Sequence, residues 1–191
     1  TPLLGGIPIF LAFNLTLFVG YALNNVYIRE FLRDKWKPLF LCQIIILVVG
    51  ILDDVINLKP RLKFLTQIFA GSLLLFFGIG IHNITNPFSG GMINLGLLSI
   101  PITILWVVGI TNALNLIDGL DGLAAGTSLI VCIAIFGISF FFQNIGISFV
   151  SLILAGSVLG FLRYNFHPAK IFLGDSGSLL LGFMLAVLSI Q

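Results

Sequence analysis

The chain has 191 residues, 59% of them hydrophobic and 8% charged, with a formal charge of +2 and a mean hydropathy of +1.18. A soluble domain carries roughly a quarter charged residues, so this composition belongs to an integral membrane protein. Nine Lys and Arg against seven Asp and Glu leave no basic stripe to follow a phosphate backbone, which excludes nucleic acid as a partner.

A membrane helix needs about 20 largely apolar residues. On that scale the chain predicts seven spans, near 7–23, 38–52, 64–81, 97–114, 123–142, 146–162 and 177–191. The first has no basic leader or small-residue cleavage site, so it is not a signal peptide. Runs such as Leu41 to Ile51 and Ile130 to Phe136 do not alternate, which argues against barrel strands. The expected fold is an all-α polytopic bundle forming one transmembrane domain over residues 1–191. A start at Thr1 and a stop at Gln191 inside an apolar run lead us to expect a piece of something longer, cut at both ends. Cys42 and Cys132 sit in apolar runs and are expected to be buried thiols, not a disulfide or a zinc site. Asn14 and Gln43, inside spans, are expected to hydrogen-bond between helices.

If the helices alternate in direction, segments 53–63, 115–122 and 163–176 share one side of the membrane. Segments 24–37, 82–96 and 143–145 share the other. Lys and Arg divide almost evenly, with Lys59, Arg61, Lys63, Arg163 and Lys170 facing Arg29, Arg33, Lys35 and Lys37. The carboxylates do not. Asp53, Asp54, Asp118, Asp121 and Asp175 all fall on the first side, leaving Glu30 and Asp34 on the second. On that second side residues 82–96 carry no charge, and Gly90-Gly91 predicts a small external β-hairpin with a two-residue turn.

Asp53 and Asp54 end an apolar run, where two charges at the water interface are cheap. Adjacent side chains on a helix point about 100° apart, so the two cannot share one ligand geometry. Asn112, Asn115, Asp118 and Asp121 recur at a spacing of three from inside an apolar run outward. Capping accounts for one or two such residues, whereas polar groups within a span are costly and usually functional. Asp175, in Gly174-Asp175-Ser176-Gly177-Ser178, reads either as the N-cap of the last span or as a carboxylate placed beside phosphate. Hard oxygen ligands of this kind suit Mg²⁺ and not zinc. His167, before Pro168, reads as a hydrogen-bonded loop residue or a general base.

Four stretches, taken together, resemble the motifs of the polyprenyl-phosphate N-acetylhexosamine-1-phosphate transferases, of the glycosyltransferase family 4 type. They are Pro2-Leu-Leu-Gly5-Gly6-Ile7, Leu52-Asp53-Asp54, Asn112 to Leu123, and Asn165-Phe-His167-Pro-Ala-Lys170-Ile-Phe-Leu-Gly174-Asp175-Ser-Gly177-Ser178. The wording of the first and third is closer to the undecaprenyl-phosphate N-acetylglucosamine-1-phosphate branch than to the phospho-N-acetylmuramoyl-pentapeptide transferases, which remain the alternative.

The resemblance implies a bundle of about ten or eleven helices, of which this transferase domain would hold seven. It places a histidine-rich cytoplasmic loop outside this chain. The implied reaction takes sugar-1-phosphate from UDP-N-acetylglucosamine to undecaprenyl phosphate with release of UMP, at the cytoplasmic face of the cell membrane. It implies Mg²⁺, with Mn²⁺ as a substitute, held by Asp175 and Asn115. Activation of the acceptor phosphate falls to Asp53 and Asp54. Substrate binding falls to Lys63, Asn112, Asp118, Asp121, Asn165 and His167. The partners are a UDP-sugar, a polyprenyl phosphate and the bilayer, with a homodimer among the admissible assemblies. Two rivals from other classes are an ion-coupled transporter and a structural membrane subunit. Transporter sites lie near the midplane on broken, repeated helices, and a structural subunit leaves the three-residue spacing unexplained.

Overall fold

The computed structural model describes residues 3–34, 36–86 and 90–191. Pro2 of the first motif and residues 87–89 of the hairpin lie outside the described residues, as do Lys35 and the side chains of Glu30, Arg33 and Asp34. Seven helices overlap the seven predicted spans, α4 lying a turn earlier than expected: α1 (Gly6–Ala22), α3 (Trp36–Ile56), α4 (Pro60–Phe76), α5 (Ser99–Ile117), α6 (Leu123–Phe141), α7 (Ile145–Asn165) and α8 (Gly174–Ile190). Helices α3, α6, α7 and α5 with the turn leading into it are long and apolar enough to cross a membrane. Helices α1 and α8 are shorter apolar helices of 17 residues each.

Helix α8 is the axis of the bundle. Every residue from Ser176 to Leu188 is buried, as expected of a helix that is apolar on all sides. Its start is gripped by two glycines. A Cβ on Gly6 of α1 would lie 2.3 Å from the Ser176 carbonyl oxygen, and one on Gly50 of α3 would lie 2.5 Å from the Ser176 Cα. Only a residue without a side chain lets three helix backbones meet there. The outward faces carry large apolar residues such as Leu105, Ile130 and Phe141, as a surface solvated by lipid tails should.

Polar groups inside the spans find one another. The Asn14 amide donates to Gln43 Oε1 at 3.0 Å, linking α1 to α3 as expected. Cys42 and Cys132 are buried and unbonded to each other.

Three features depart from the sequence expectation. Residues 24–37 are not all connection. They hold α2 (Val26–Asp34), whose Ile28 and Phe31 are buried and whose Tyr27 ring stacks on Phe149 of α7 at 5.6 Å. Nine residues are too few for a membrane-length search to find. The hairpin is present, with β1 (Asn83–Thr85) antiparallel to β2 (Met92–Asn94) and Ile84 opposite Ile93. Its connection is not a Gly90-Gly91 turn. It runs from Asn86 to Gly91, closed by the Asn86 N–H on the Gly91 carbonyl and the Gly90 N–H on the Asn86 carbonyl.

The third departure matters most for function. The segments expected as acidic loops are largely helix ends. Helix α3 continues through Asp53 and Asp54 to Ile56, and α4 starts at Pro60, so Arg61 and Lys63 lie in its opening turns. Helix α8 starts at Gly174, which puts Asp175 in its first turn. Pro at the first helical position explains the early start of α4, because its missing N–H is not needed there. Asn57, at φ +50, ends α3 by turning left-handed.

Candidate functional site

The site lies at the end of the bundle where α3, α5 and α7 finish and α4, α6 and α8 begin. A cavity of about 430 Å³ there is lined by Asp53, Asp54, Lys63, Asn115, Asp118, Asp121, Asn165 and Asp175, with Leu3, Asn57 and Phe172 at its walls. Five aspartates from three separated stretches therefore do converge.

Asp53 and Asp54 divide their work as adjacent helical positions must. Asp53 is buried. Its Oδ1 accepts the Leu58 N–H at 2.7 Å and its Oδ2 receives Lys63 Nζ at 2.7 Å. Lys63 reaches onward to Asp175 Oδ1 at 3.5 Å, so one ammonium stands between two carboxylates.

Asp54 points the other way, onto α8. Its Oδ1 accepts the Asp175 N–H at 2.8 Å and its Oδ2 the Ser176 N–H at 3.0 Å. The first N–H groups of a helix have no partner within it, and α8 has no side-chain cap of its own at Leu173. The carboxylate of α3 supplies that cap from a distance. This corrects the reading of Asp175 as the N-cap: Asp175 is the second residue of the helix, within its first turn, and lines the cavity. Gly174, at φ +68, is what lets Asp54 approach, since a Cβ there would lie 2.7 Å from Asp54 Oδ1.

Asn115 donates its amide to Asp175 Oδ1 and to Ser178 Oγ, the latter at 2.8 Å. The regular spacing of three does not persist as one helical ladder, because α5 ends at Ile117 and Asp118 is its C-cap. Asp118 turns into the cavity. Burial first, and then the negative charges of Asp175 and Asp54, push its carboxyl up to about 6, partly offset by the Gly174 N–H. Asp121 behaves oppositely. The Ala169 N–H, at 3.0 Å, and His167 Nδ1, at 3.0 Å, hold its carboxyl below the usual range.

These bonds shape the connection between α7 and α8. Asp121 pins its first half through Ala169 and His167, and buried Asn165 donates to the Ile171 carbonyl at 3.0 Å, tying its two ends together. His167 itself stands at the rim with 81% of its side chain exposed.

Besides His167, Asn112 is the predicted site residue that does not line the cavity. It lies one turn deeper, where its amide is bonded to Gln67 of α4 and to the Val108 carbonyl. Asn57, Gln67, Phe172 and Ser178 were not among the expected site residues, although Phe172 and Ser178 lie within the fourth motif. For Asn57 a signal existed, since Asn is a common residue for the left-handed turn that ends a helix.

The donor set can be compared with what Mg²⁺ requires. Among the described residues no three His, Cys, Asp or Glu side chains form a ready-made cage. Mg²⁺ seldom uses one; it is held by one or two carboxylates while substrate phosphates and water complete its shell. Asp53 is engaged by Lys63 and Asp54 by the start of α8. Asp118 and Asp175 remain as lining carboxylates, while Asn115, expected as the second metal contact, spends its amide N–H groups on Asp175 and Ser178. After burial, it is the charges of Asp175 and Asp54 that raise the Asp118 carboxyl, and a cation would relieve them. The residues present therefore fit a magnesium ion bound together with phosphate.

Comparison with known proteins places the chain in a family. Residues 36–191 match the family model described as glycosyl transferase family 4. The chain is 40% identical over 189 residues, 99% of its own length and 51% of the relative's, to a probable undecaprenyl-phosphate N-acetylglucosaminyl 1-phosphate transferase of Bacillus subtilis (strain 168). It is 40% identical over 200 residues to the decaprenyl-phosphate N-acetylglucosaminephosphotransferase of Mycobacterium leprae (strain TN), covering 99% of this chain and 50% of that protein. It is 35% identical over 203 residues to a phospho-N-acetylmuramoyl-pentapeptide-transferase of Clostridium botulinum (strain Alaska E43 / Type E3), covering 100% of this chain and 59% of that protein. The chain spans about half the length of the first two relatives. By the match over residues 36–191, the chain belongs to glycosyl transferase family 4.

Proposed function

We propose that the full-length protein transfers N-acetylglucosamine-1-phosphate from UDP-N-acetylglucosamine to undecaprenyl phosphate, releasing UMP. The observation that carries this reading is the placement of Lys63, Asp118 and Asp175 in one cavity at the end of an apolar bundle. A water-soluble nucleotide and a lipid-anchored phosphate can meet only at such an interface. The 40% identity to the Bacillus subtilis relative, which bears that activity in its name, favours the N-acetylglucosamine donor.

Phosphoryl transfer asks little covalent chemistry of a protein; positioning and charge neutralisation dominate. Lys63, fixed by Asp53 and Asp175, presents a cation to the incoming phosphates. Asp54 and Asn115 hold Asp175 in place, one through its backbone and the other through its side chain. A magnesium ion bound by Asp118 and Asp175 would neutralise phosphate oxygens. Asp121, Asn165 and the connection they brace form the wall available to the nucleotide, with His167 at its rim. Aspartates gathered at helix ends do not resemble a midplane coupling-ion site. We place the cavity on the cytoplasmic face, where nucleotide sugars are supplied.

The test is incubation of the full-length protein in nanodiscs with radiolabelled UDP-N-acetylglucosamine, undecaprenyl phosphate and Mg²⁺. A lipid-linked labelled product with equimolar UMP is expected, and EDTA should abolish it. Conversion of UDP-N-acetylmuramoyl-pentapeptide in its place would reassign the sugar, and conversion of neither donor would overturn the proposal.

A further inference from the structure

Gln67 is buried among apolar helices with 1% of its surface exposed. Its carboxamide faces that of Asn112 across the α4–α5 interface. Asn112 donates to Gln67 Oε1, and Gln67 Nε2 donates back to Asn112 Oδ1 at 3.5 Å. The remaining N–H of Asn112 is spent on the Val108 carbonyl at 2.7 Å. Asn112 thus spends both of its amide N–H groups inside the bundle, one on Gln67 and one on Val108. The side-chain hydrogen bonds described between α4 and α5 all belong to this pair. The rest of the interface is apolar contact, such as Gly71 beside Ile104 and Val107, which is non-directional and resists sliding weakly.

Position gives the pair its meaning. Lys63 lies four residues before Gln67 on α4, and Asn115 lies three residues after Asn112 on α5. Residues three and four apart share a helical face, so the amide pair sits one turn below two side chains that reach Asp175 from different helices. We propose that Gln67 and Asn112 are positioning residues, a clamp that fixes Lys63 and Asn115 relative to each other across the cavity. The proposal rests on the transferase reading given above. A slip of α4 along α5 would carry Lys63 away from Asp175 while leaving the nucleotide wall, built on Asp121, Asn165 and the connection from α7 to α8, undisturbed.

The test uses the full-length protein and reads activity and geometry separately. Gln67→Met keeps the length of the side chain and removes the hydrogen bonds; Asn112→Leu does the same from the other helix. Each should lower kcat about tenfold with KM for UDP-N-acetylglucosamine changed less than about twofold, since small misplacements cost turnover more than uniform binding. The double variant should be no slower than either single one. The exchange Gln67→Asn with Asn112→Gln preserves the combined length and should recover most of the rate.

Spin labels replacing exposed Leu62 and Leu116 should give a narrow distance distribution that broadens in Gln67→Met and narrows again in the exchange variant. An unchanged distribution would overturn the clamp. So would a rise in KM on Asn112→Leu with Gln67→Met silent, which would put Asn112 on the nucleotide. The distance measurement needs no turnover, so a wild-type protein that fails to transfer sugar phosphate would sink the transferase reading and still leave the clamp decided.

Discussion

Asp54 caps the helix that carries Asp175, although 121 residues separate them in the chain. The two N–H groups it accepts are the second and third of α8, among those a helix leaves without an internal partner. Loss of a helix cap costs about 1–2 kcal/mol. Asp54→Ala is therefore expected to lower the unfolding midpoint of the full-length protein in detergent and to cut activity sharply. Asp54→Asn, which keeps one acceptor but turns an NH₂ toward a backbone donor, should fall between wild type and Ala. Equal midpoints for all three proteins would show that the cap contributes nothing to holding α8.

For Asp175 the same geometry predicts a different pattern. Because the cap is elsewhere, Asp175→Asn removes charge from the cavity without freeing any backbone group. The variant should fold with an unchanged or higher midpoint and lose Mg²⁺-dependent transfer, as the preference of Mg²⁺ for carboxylate oxygen requires. Near-normal turnover at ordinary Mg²⁺ would reduce Asp175 to a partner of Lys63 and Asn115.

These two residues also show how far the sequence was legible. Hydropathy located all seven apolar helices because each is nearly as long as a bilayer is thick, and the one-sided distribution of aspartates foretold the cavity. What stayed hidden depended on which helices touch. Nothing local distinguishes Asp54 as the cap of α8 from Asp175 as its own cap, since both stand next to a helix end. Asn112 and Asn115 look alike in their three-residue spacing, yet one bonds to α4 and the other to α8. Helix α2 was missed because its signal is a short amphipathic period in a search tuned to long apolar ones.

Asp118 contributes to the expected pH dependence of the metal-free protein. Its carboxyl is raised, so the folded state holds the proton more tightly than the unfolded chain does. The stability it contributes is present below the unfolded value and is lost as pH rises through about 6. Protein treated with EDTA should melt at a lower temperature at pH 8 than at pH 5.5, and Asp118→Asn should flatten that slope. The gain at pH 8 should be about 1 kcal/mol, the partial exposure of the carboxyl keeping it below the full linkage value. Protons and Mg²⁺ would compete for the same oxygens, so calorimetric Mg²⁺ affinity should weaken as pH falls through 6. A melting temperature indifferent to pH in both proteins would mean that Asp118 carries no such strain.

The last expectation concerns Asp53 and the number of chemical steps. A covalent route would make Asp53 attack the donor, leaving an aspartyl-phosphate and releasing UMP before any lipid arrives. Such a nucleophile needs a lone pair free to approach phosphorus. Asp53 has one oxygen on the Leu58 N–H and the other on Lys63, each at 2.7 Å, within a residue that is 4% exposed. Each oxygen keeps a second lone pair, but an incoming phosphate would have to reach a carboxylate crowded by Leu58 and Lys63 and almost wholly buried. The lipid phosphate, by contrast, arrives already ionised and needs only to be aligned. We therefore expect one displacement, with Asp53 orienting Lys63. Full-length protein given UDP-N-acetylglucosamine without lipid should neither release UMP nor exchange labelled UMP into the donor. Asp53→Asn should slow transfer by roughly a hundredfold or more through loss of the Lys63 pair, with no phosphorylated protein trapped. Lipid-independent UMP exchange that disappears in Asp53→Asn would establish Asp53 as the nucleophile instead.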